Sequence, residues 1–282
     1  LLDVKNDPSF LKHFDYLNGS IIGAEEEFKG ARTLHLDGSK LHKAGGDAIS
    51  ELASVLVQAD TFVHLNGIEK VEGNAFVQFS VDTNFFMEIA KLRAFRILWK
   101  AFGEAFGKEN VKAIPVYAET SLRSFSALDE TVNLLRAGNS TLSCVLGGAD
   151  FISAYPYNYL TGTTATSNRI ARNMQLVLKE ETHIQRVIDA AGGSFYIESL
   201  TNQLVEKAWT YFIELMKDSS PESRESMLLQ RAQEKWELQL KAVSSRKKSL
   251  IGTNNYANPD DVIENPVKLT DYKRLAEPFE DL

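Results

Sequence analysis

Short apolar runs that fit β-strands alternate with stretches of helical periodicity through the first half of this 282-residue chain. Runs rich in β-branched and aromatic residues predict five strands, at residues 1–4, 33–36, 75–81, 113–117 and 151–154. Apolar residues recur at helical spacing between them, as in residues 44–56, 85–96 and 131–137. Strands that alternate with helices are typical of a parallel sheet covered by helices, so the sequence predicts an α/β fold.

The alternation stops near Pro156, and the rest of the chain has a different character. Residues 169–250 show mainly helical periodicity. Residues 251–282 are polar and contain prolines, which predicts an irregular linker strap. We therefore divide the chain into a strand-and-helix part (1–168), a helical part (169–250) and the linker strap (251–282).

Composition and charge narrow the function classes. With 44% hydrophobic residues, the chain can bury a large core. No apolar run is long enough to span a bilayer and the first residues lack a secretory signal, so we expect a cytoplasmic protein without membrane association. The net charge of −7, with dispersed basic residues, argues against nucleic-acid binding. The single cysteine, Cys144, lies among apolar residues and is expected to be a buried hydrophobe.

Two adjacent motifs in the helical part are the most specific feature of the sequence. Residues 169–175 read R-I-A-R-N-M-Q, and residues 189–201 read D-A-A-G-G-S-F-Y-I-E-S-L-T. The residues themselves describe a helix, a glycine turn and a second helix, with Ser199 or Thr201 as the cap of an apolar stripe that runs from Leu200 to Leu215. This pattern is typical of a packing element.

The two motifs resemble the segment that follows the last barrel strand in the methylmalonyl-CoA mutase family, which reads R-I-A-R-N-T-Q and then D-P-x-G-G-S-Y-x-x-E-x-L-T. Residues 84–94 resemble the family helix N-F-Y-x-E-I-A-K-M-R-A, and residues 252–256 are similar to V-G-V-N-K-Y. The resemblance implies the second half of a TIM-type (β/α)8 barrel, followed by helices and by a strap that leads toward a cobalamin-type domain. We therefore expect the chain to be part of a longer subunit.

The resemblance weakens where the family carries its chemistry. A strand end of catalytic members reads S-G-Y-H-x-x-x-A-G, and its Tyr-His pair lies between cobalamin and the acyl-CoA thioester. Residues 37–45 place Ser39 and Lys40 at those positions, and His42 is displaced by two residues. Serine is too small to replace the tyrosine ring, and lysine offers only donors and a charge.

Other positions at the expected barrel mouth are also changed. A family arginine and serine become Asn74 and Phe76, while an arginine, a histidine and a glutamine become Pro115, Tyr117 and Glu119. Arginine binds carboxylates and phosphates bidentately, and neither asparagine nor proline replaces it. We expect no catalytic residue in this chain. The diverged positions at which substrate contacts remain possible are Lys40, His42, Asn74, Tyr117 and Glu119.

The sequence offers no metal or cofactor motif. The family's D-x-H-x-x-G element, which supplies a histidine to cobalt, does not occur. The five histidines are scattered without paired spacing on one helix face. We therefore expect this chain to bind no cofactor itself.

The chain most resembles the small (beta) subunit of heterodimeric family members. This implies a catalytic large subunit as partner, which uses adenosylcobalamin to interconvert methylmalonyl-CoA and succinyl-CoA. Two alternatives remain: an active mutase for a different acyl-CoA, with Lys40, Tyr117 and Glu119 as replacement ligands, or an interaction module without acyl-CoA function. The strand expected at residues 1–4 would leave an open sheet edge, which favours self-association of the chain on its own.

Overall fold

The computed structural model describes residues 32–258, 260, 263, 267 and 269–280. Four strands form one open sheet: β1 (Leu34–Asp37), β2 (Ala75–Val81), β3 (Val116–Thr120) and β4 (Phe151–Ser153). Their order is β1-β2-β3-β4 and every neighbouring pair is parallel. The predicted α/β fold is confirmed, and the open parallel sheet agrees with part of a TIM-type barrel. The strand expected at residues 1–4 lies outside the described residues.

Helices connect the strands and continue after them. They are α1 (Ser39–Lys43), α2 (Ala48–Asn66), α3 (Ile68–Asn74), α4 (Phe85–Ala105), α5 (Val132–Leu146), α6 (Ala165–Glu180), α7 (Phe195–Met216), α8 (Pro221–Ser244) and α9 (Glu277–Glu280), with a 3-10 turn at Ile184–Arg186. Helix α2 begins with a reciprocal cap between Asp47 and Ser50. None of the helices in the described ranges combines the length and apolarity that a membrane crossing needs.

One face of the sheet packs against the helices and forms the main core. Val77, Phe79 and Val81 alternate along β2 and are completely buried. The Phe79 ring packs against Phe95 of α4 with 5.4 Å between ring centroids, and α7 packs against both α4 and α2. The predicted stripe of α7 is confirmed, since Leu204 and Phe212 belong to this core. Cys144 is also completely buried, as its apolar surroundings predict.

The other face of the sheet is left open by the described residues. Phe76 and Tyr117 are half-buried there, and Phe151 is 62% exposed. The His35 ring stacks on Phe76 with 4.7 Å between ring centroids. In a closed (β/α)8 barrel the inward-facing residues fill the interior. This face therefore corresponds to the inside of a barrel of which the described sheet supplies four strands.

The predicted bounds of β1 and β4 differ from the structure by one residue, and two other boundaries differ for a physical reason. Strand β3 begins at Val116, three residues later than predicted, because Pro115 has no N–H to donate to the ladder. Helix α7 begins at Phe195 with Ser194 at the N-cap, so the prediction that Ser199 or Thr201 caps this helix is wrong. The chain has already reversed at Gly193, whose φ of 77° is favourable for glycine.

The last described segment, residues 269–280, packs onto the body of the protein, and we call it the docked segment. Leu275 and Ala276 are completely buried. Arg274 and Glu280 form a doubly bonded ion pair, with N–O distances of 2.8 and 2.6 Å. The predicted linker strap is irregular in its described part, apart from α9, but it is firmly packed at this end.

Candidate active site at the carboxyl edge of the sheet

The parallel strands bring their carboxyl ends to one edge of the sheet, where barrel enzymes carry their active sites. Gly38, Asp82, Glu119 and Tyr155 lie at or just beyond these ends, as the parallel fold predicts. The Tyr155 hydroxyl is 3.5 Å from Oε2 of Glu119. This edge is therefore the candidate site, and its chemistry depends on which side chains remain free.

Glu119 is held by three neighbours. The Lys43 ammonium lies 3.0 Å from its Oε1, and the Ser80 hydroxyl donates to the same oxygen at 2.9 Å. Burial, followed by the charge of Glu119, raises the pKa of Tyr155 above its usual range. A carboxylate at position 119 would repel an anionic acyl group, but the pairing of Glu119 with Lys43 neutralises much of that charge. Lys43 is a site residue that the sequence analysis missed.

His42 is buried and uses both ring nitrogens. Its Nδ1 is 2.8 Å from Oε1 of Glu51, and its Nε2 is 2.7 Å from Oγ of Ser121. A carboxylate accepts only, so Nδ1 carries the proton and Nε2 accepts from the Ser121 hydroxyl. Burial, together with the charges of Arg123 and Lys91, holds the pKa of His42 well below its usual range. His42 is therefore neutral and fully bonded.

Lys91 supplies the charge that balances this buried cluster. Its ammonium lies 2.8 Å from Glu51 and 2.6 Å from Glu88, and it donates to the carbonyl oxygen of Ser80 at 2.7 Å. Burial raises the pKa of both carboxyl groups. Burial alone would lower the pKa of Lys91, but the two glutamates outweigh it and raise the pKa. The lysine and the two glutamates thus form one ionic unit beneath the sheet edge.

Ser121, His42 and Glu51 stand in the order of a nucleophile, a base and an orienting acid. Ser121 is only 2% exposed, however, and the Tyr272 hydroxyl of the docked segment lies 2.9 Å from its Oγ. The Leu122 N–H donates to the same Tyr272 oxygen at 3.0 Å. The polar groups at and next to Ser121 are therefore bonded to Tyr272. The arrangement links the docked segment to the sheet edge.

The remaining predicted site residues lie apart from this cluster. Lys40 is exposed and is 3.9 Å from Asp37, an ion pair at the same edge. Asn74 ends α3 and so lies at the opposite end of β2, where its amide donates to the carbonyl of Lys70. Tyr117 faces the open side of the sheet. The structure thus brings Lys40, His42 and Glu119 to the carboxyl edge, while Asn74 and Tyr117 lie elsewhere.

Tyr117 contributes to a shallow groove on the open face. The groove has a volume of about 420 Å³ and is lined by Arg32, Phe76, Pro115, Tyr117 and Phe151. The Arg32 guanidinium donates to the carbonyl oxygens of Glu72 and Ala75, at 2.9 and 2.7 Å. Two of its donors are therefore already used within the protein.

At the candidate site, His42 does not fit the role of an axial cobalt ligand. Both nitrogens of His42 are bonded within the protein, as described above. His64 bonds the Asp60 carbonyl, and His35 is stacked on Phe76. In the described parts of the chain, no His, Cys, Asp and Glu side chains are grouped as a metal centre requires.

The fold and this edge define a class: an open TIM-type α/β half-barrel whose carboxyl edge is filled by a closed network of its own side chains. The sequence profile of the family described as "Methylmalonyl-CoA mutase" matches residues 12–279. The chain belongs to the methylmalonyl-CoA mutase family.

Individual relatives agree with this assignment. The chain is 32% identical over 261 residues to the methylmalonyl-CoA mutase small subunit of Porphyromonas gingivalis, covering 88% of this chain and 42% of that protein. It is 37% identical over 195 residues to the small subunit of Propionibacterium freudenreichii subsp. shermanii, covering 66% and 31%. A protein named methylmalonyl-CoA mutase from Cereibacter sphaeroides is 30% identical over 254 residues, covering 86% and 35%. The chain spans less than half the length of each relative.

Proposed function

We propose that this chain is part of the small, non-catalytic subunit of a methylmalonyl-CoA mutase. In this proposal a catalytic large subunit interconverts methylmalonyl-CoA and succinyl-CoA, and adenosylcobalamin supplies the radical chemistry there. The names of the Porphyromonas and Propionibacterium relatives support the subunit role. The small subunit contributes fold and interface, and the proposed compartment is the cytoplasm.

One observation carries the non-catalytic part of the proposal: the Tyr272 hydroxyl closes the polar cluster at the carboxyl edge. A general base or a hydrogen-bond donor must reach the reacting group of a substrate. His42 has no free nitrogen, and the Ser121 hydroxyl and the Leu122 N–H are bonded to Tyr272 or His42. A substrate would first have to displace the protein's own tyrosine.

The second candidate is an active mutase for a different acyl-CoA. It is favoured by the Lys43–Glu119 pair at the edge, which includes a partly exposed ammonium, and by the groove beside Tyr117. Lys40, Tyr117 and Glu119 would then be replacement ligands. The two readings differ in whether the small subunit turns over a thioester without its partner.

The partner is tested by co-expression of the tagged full-length subunit with a mutase large subunit from the same organism. We expect a stable complex of one copy of each chain. Its interface should bury more than about 2,000 Å², the size that is usual for obligate pairs. The matched control is the tagged subunit expressed alone, which we expect to self-associate or aggregate. Recovery of a monomer that never binds the large subunit would favour an interaction module instead.

A further inference from the structure

A continuous series of hydrogen bonds runs from the buried ionic unit to the docked segment. Lys91 bonds Glu51, Glu51 accepts from Nδ1 of His42, Nε2 of His42 meets Ser121, and Ser121 meets Tyr272. Ser121 and Tyr272 are 151 positions apart in the sequence. The chain of bonds thus connects the core of the half-barrel to a segment near the end of the described protein.

Two backbone N–H groups, which can only donate, set the direction of the hydrogen bonds between His42 and Tyr272. The Arg123 N–H donates to Oγ of Ser121 at 3.0 Å, and the Leu122 N–H donates to Oη of Tyr272. Neutral His42 accepts from Ser121, so the Ser121 oxygen accepts from Tyr272. Each hydroxyl then donates once, and every polar atom of the chain is satisfied.

A second proton on His42 would break this order. Nε2 would become a donor, and the Ser121 hydroxyl would have to turn toward Tyr272. The Tyr272 oxygen would then accept from both Ser121 and Leu122, and its own proton would lose the acceptor that it has now. Tyr272 is only 8% exposed, and an unpaired buried donor is costly.

The charges around His42 reinforce this effect. The groups that face it come from every element packed against it: Lys43 of α1, Glu51 of α2, Asp82 after β2, Lys91 of α4, Arg123 after β3 and Tyr272 of the docked segment. Glu51 also pairs with Lys91, so its single charge does not balance all the cations around His42. A protonated imidazole in this position would add a cation beside Lys91 and Arg123.

The other bonds of the docked segment end close to the same residues. The Lys273 N–H donates to the carbonyl of Lys43 at 3.1 Å, and the Leu275 N–H donates to the carbonyl of Arg123 at 2.8 Å. The Arg123 guanidinium in turn donates to the carbonyl of His42. A disturbance at His42 therefore lies next to three of the bonds that hold the segment, which are those of Tyr272, Lys273 and Leu275.

We propose that the docked segment is a proton-sensitive latch, which is closed while His42 is neutral and opens when His42 takes up a second proton. Opening uncovers the Ser121 hydroxyl and the Leu122 N–H at the carboxyl edge of the sheet. The latch is a property of this chain's own fold and does not depend on the proposed subunit role.

Hydrogen exchange of the Lys273 and Leu275 amides in the full-length subunit tests this latch, with rates corrected for the intrinsic effect of pH. Protection should be constant from pH 8 to about 6.5, the usual pKa of an accessible histidine. Below that, it should fall by up to about tenfold per pH unit, because one proton is linked to opening. Amides in the buried part of α7, such as that of Ala208, should keep their protection throughout.

Two variants separate the latch from general acid destabilisation. His42→Gln keeps an acceptor for Ser121 but does not titrate, so its docked segment should show no fall in protection at low pH. Tyr272→Phe removes the hydroxyl, so protection should be about fivefold lower at pH 7.5, the effect of one lost hydrogen bond, and its fall at low pH should be smaller than in the unmodified protein. A flat pH series in the unmodified protein overturns the latch. If protection in the unmodified protein does decrease at low pH, an equal decrease in Tyr272→Phe also overturns the latch. This test holds even if the His42→Gln variant does not fold.

Discussion

Replacement of Lys91 by methionine is expected to lower the free energy of unfolding by about 3–5 kcal/mol, the usual cost of removing one partner from a buried ion pair. Lys91 is completely buried, and Glu51 and Glu88 both depend on its ammonium. Methionine fills much of the same volume, so the cost comes from two carboxylates left without a counter-ion. Urea unfolding of the full-length subunit measures the change.

Lys100→Met is the matched control, because Lys100 lies on the same helix with its side chain 72% exposed. Its replacement should change stability by less than about 0.5 kcal/mol. Adding Glu88→Gln to Lys91→Met should recover part of the loss, since one of the two uncompensated charges is removed. A loss below about 1 kcal/mol for Lys91→Met would show that the ionic unit is not buried as described.

Arg274→Met is expected to cost about 3 kcal/mol, at the lower end of the range for a broken buried pair. The side chains of Arg274 and Glu280 are 4% and 3% exposed, and their two short bonds join the middle of the docked segment to its last residue. Without the guanidinium, the Glu280 carboxylate keeps the N–H of Ala127 as a donor. The same urea titration gives the loss of stability.

The neighbouring residue provides the control. Lys273 donates to Gln233 through an exposed bond of 2.6 Å, so Lys273→Met should be nearly neutral. Exchange of the Leu275 amide should accelerate in Arg274→Met and stay unchanged in Lys273→Met. Equal effects of the two variants would mean that the buried pair does not hold the segment in place.

The sequence predicts the fold because its helices and strands are long enough to show the hydrophobic periodicity that distinguishes them. Strand β2 has alternating buried and half-buried residues along its first part, and α7, a helix of 22 residues, carries its apolar stripe from Leu200 to Leu215. The boundary of β3 was missed because an apolar run does not show where ladder bonds begin. Pro115 carries that information, since it cannot donate to the ladder.

The candidate site follows from the sequence only in part. Lys40, His42 and Glu119 lie at ends of predicted strands or just after them, so the parallel fold brings them to one edge. Tyr272 could not be predicted there, because nothing local in the linker strap indicates where it docks. Asn74 was expected at the same edge from the resemblance, yet it precedes β2 and lies at the other end of the strand.

The sequence of α4 contains a signal for the buried ionic unit. Lys91 is separated by three or four positions from Glu88 and Phe95, on the face of α4 that continues to Leu98 and Phe102. A charged residue within such an apolar stripe is rarely buried without a partner. This pattern predicts a buried counter-ion, although it does not say that Glu51 of another helix supplies it.

The central claim, that this subunit supports a reaction performed by its partner, is tested most directly by turnover. The full-length small subunit is assayed with adenosylcobalamin and methylmalonyl-CoA, and with a panel of other branched acyl-CoA thioesters, first alone and then titrated into a fixed amount of large subunit. We expect no product above a heat-inactivated control from the small subunit alone, and succinyl-CoA formation that saturates at one small subunit per large subunit. Isomerisation of any of these thioesters by the small subunit alone would contradict the account.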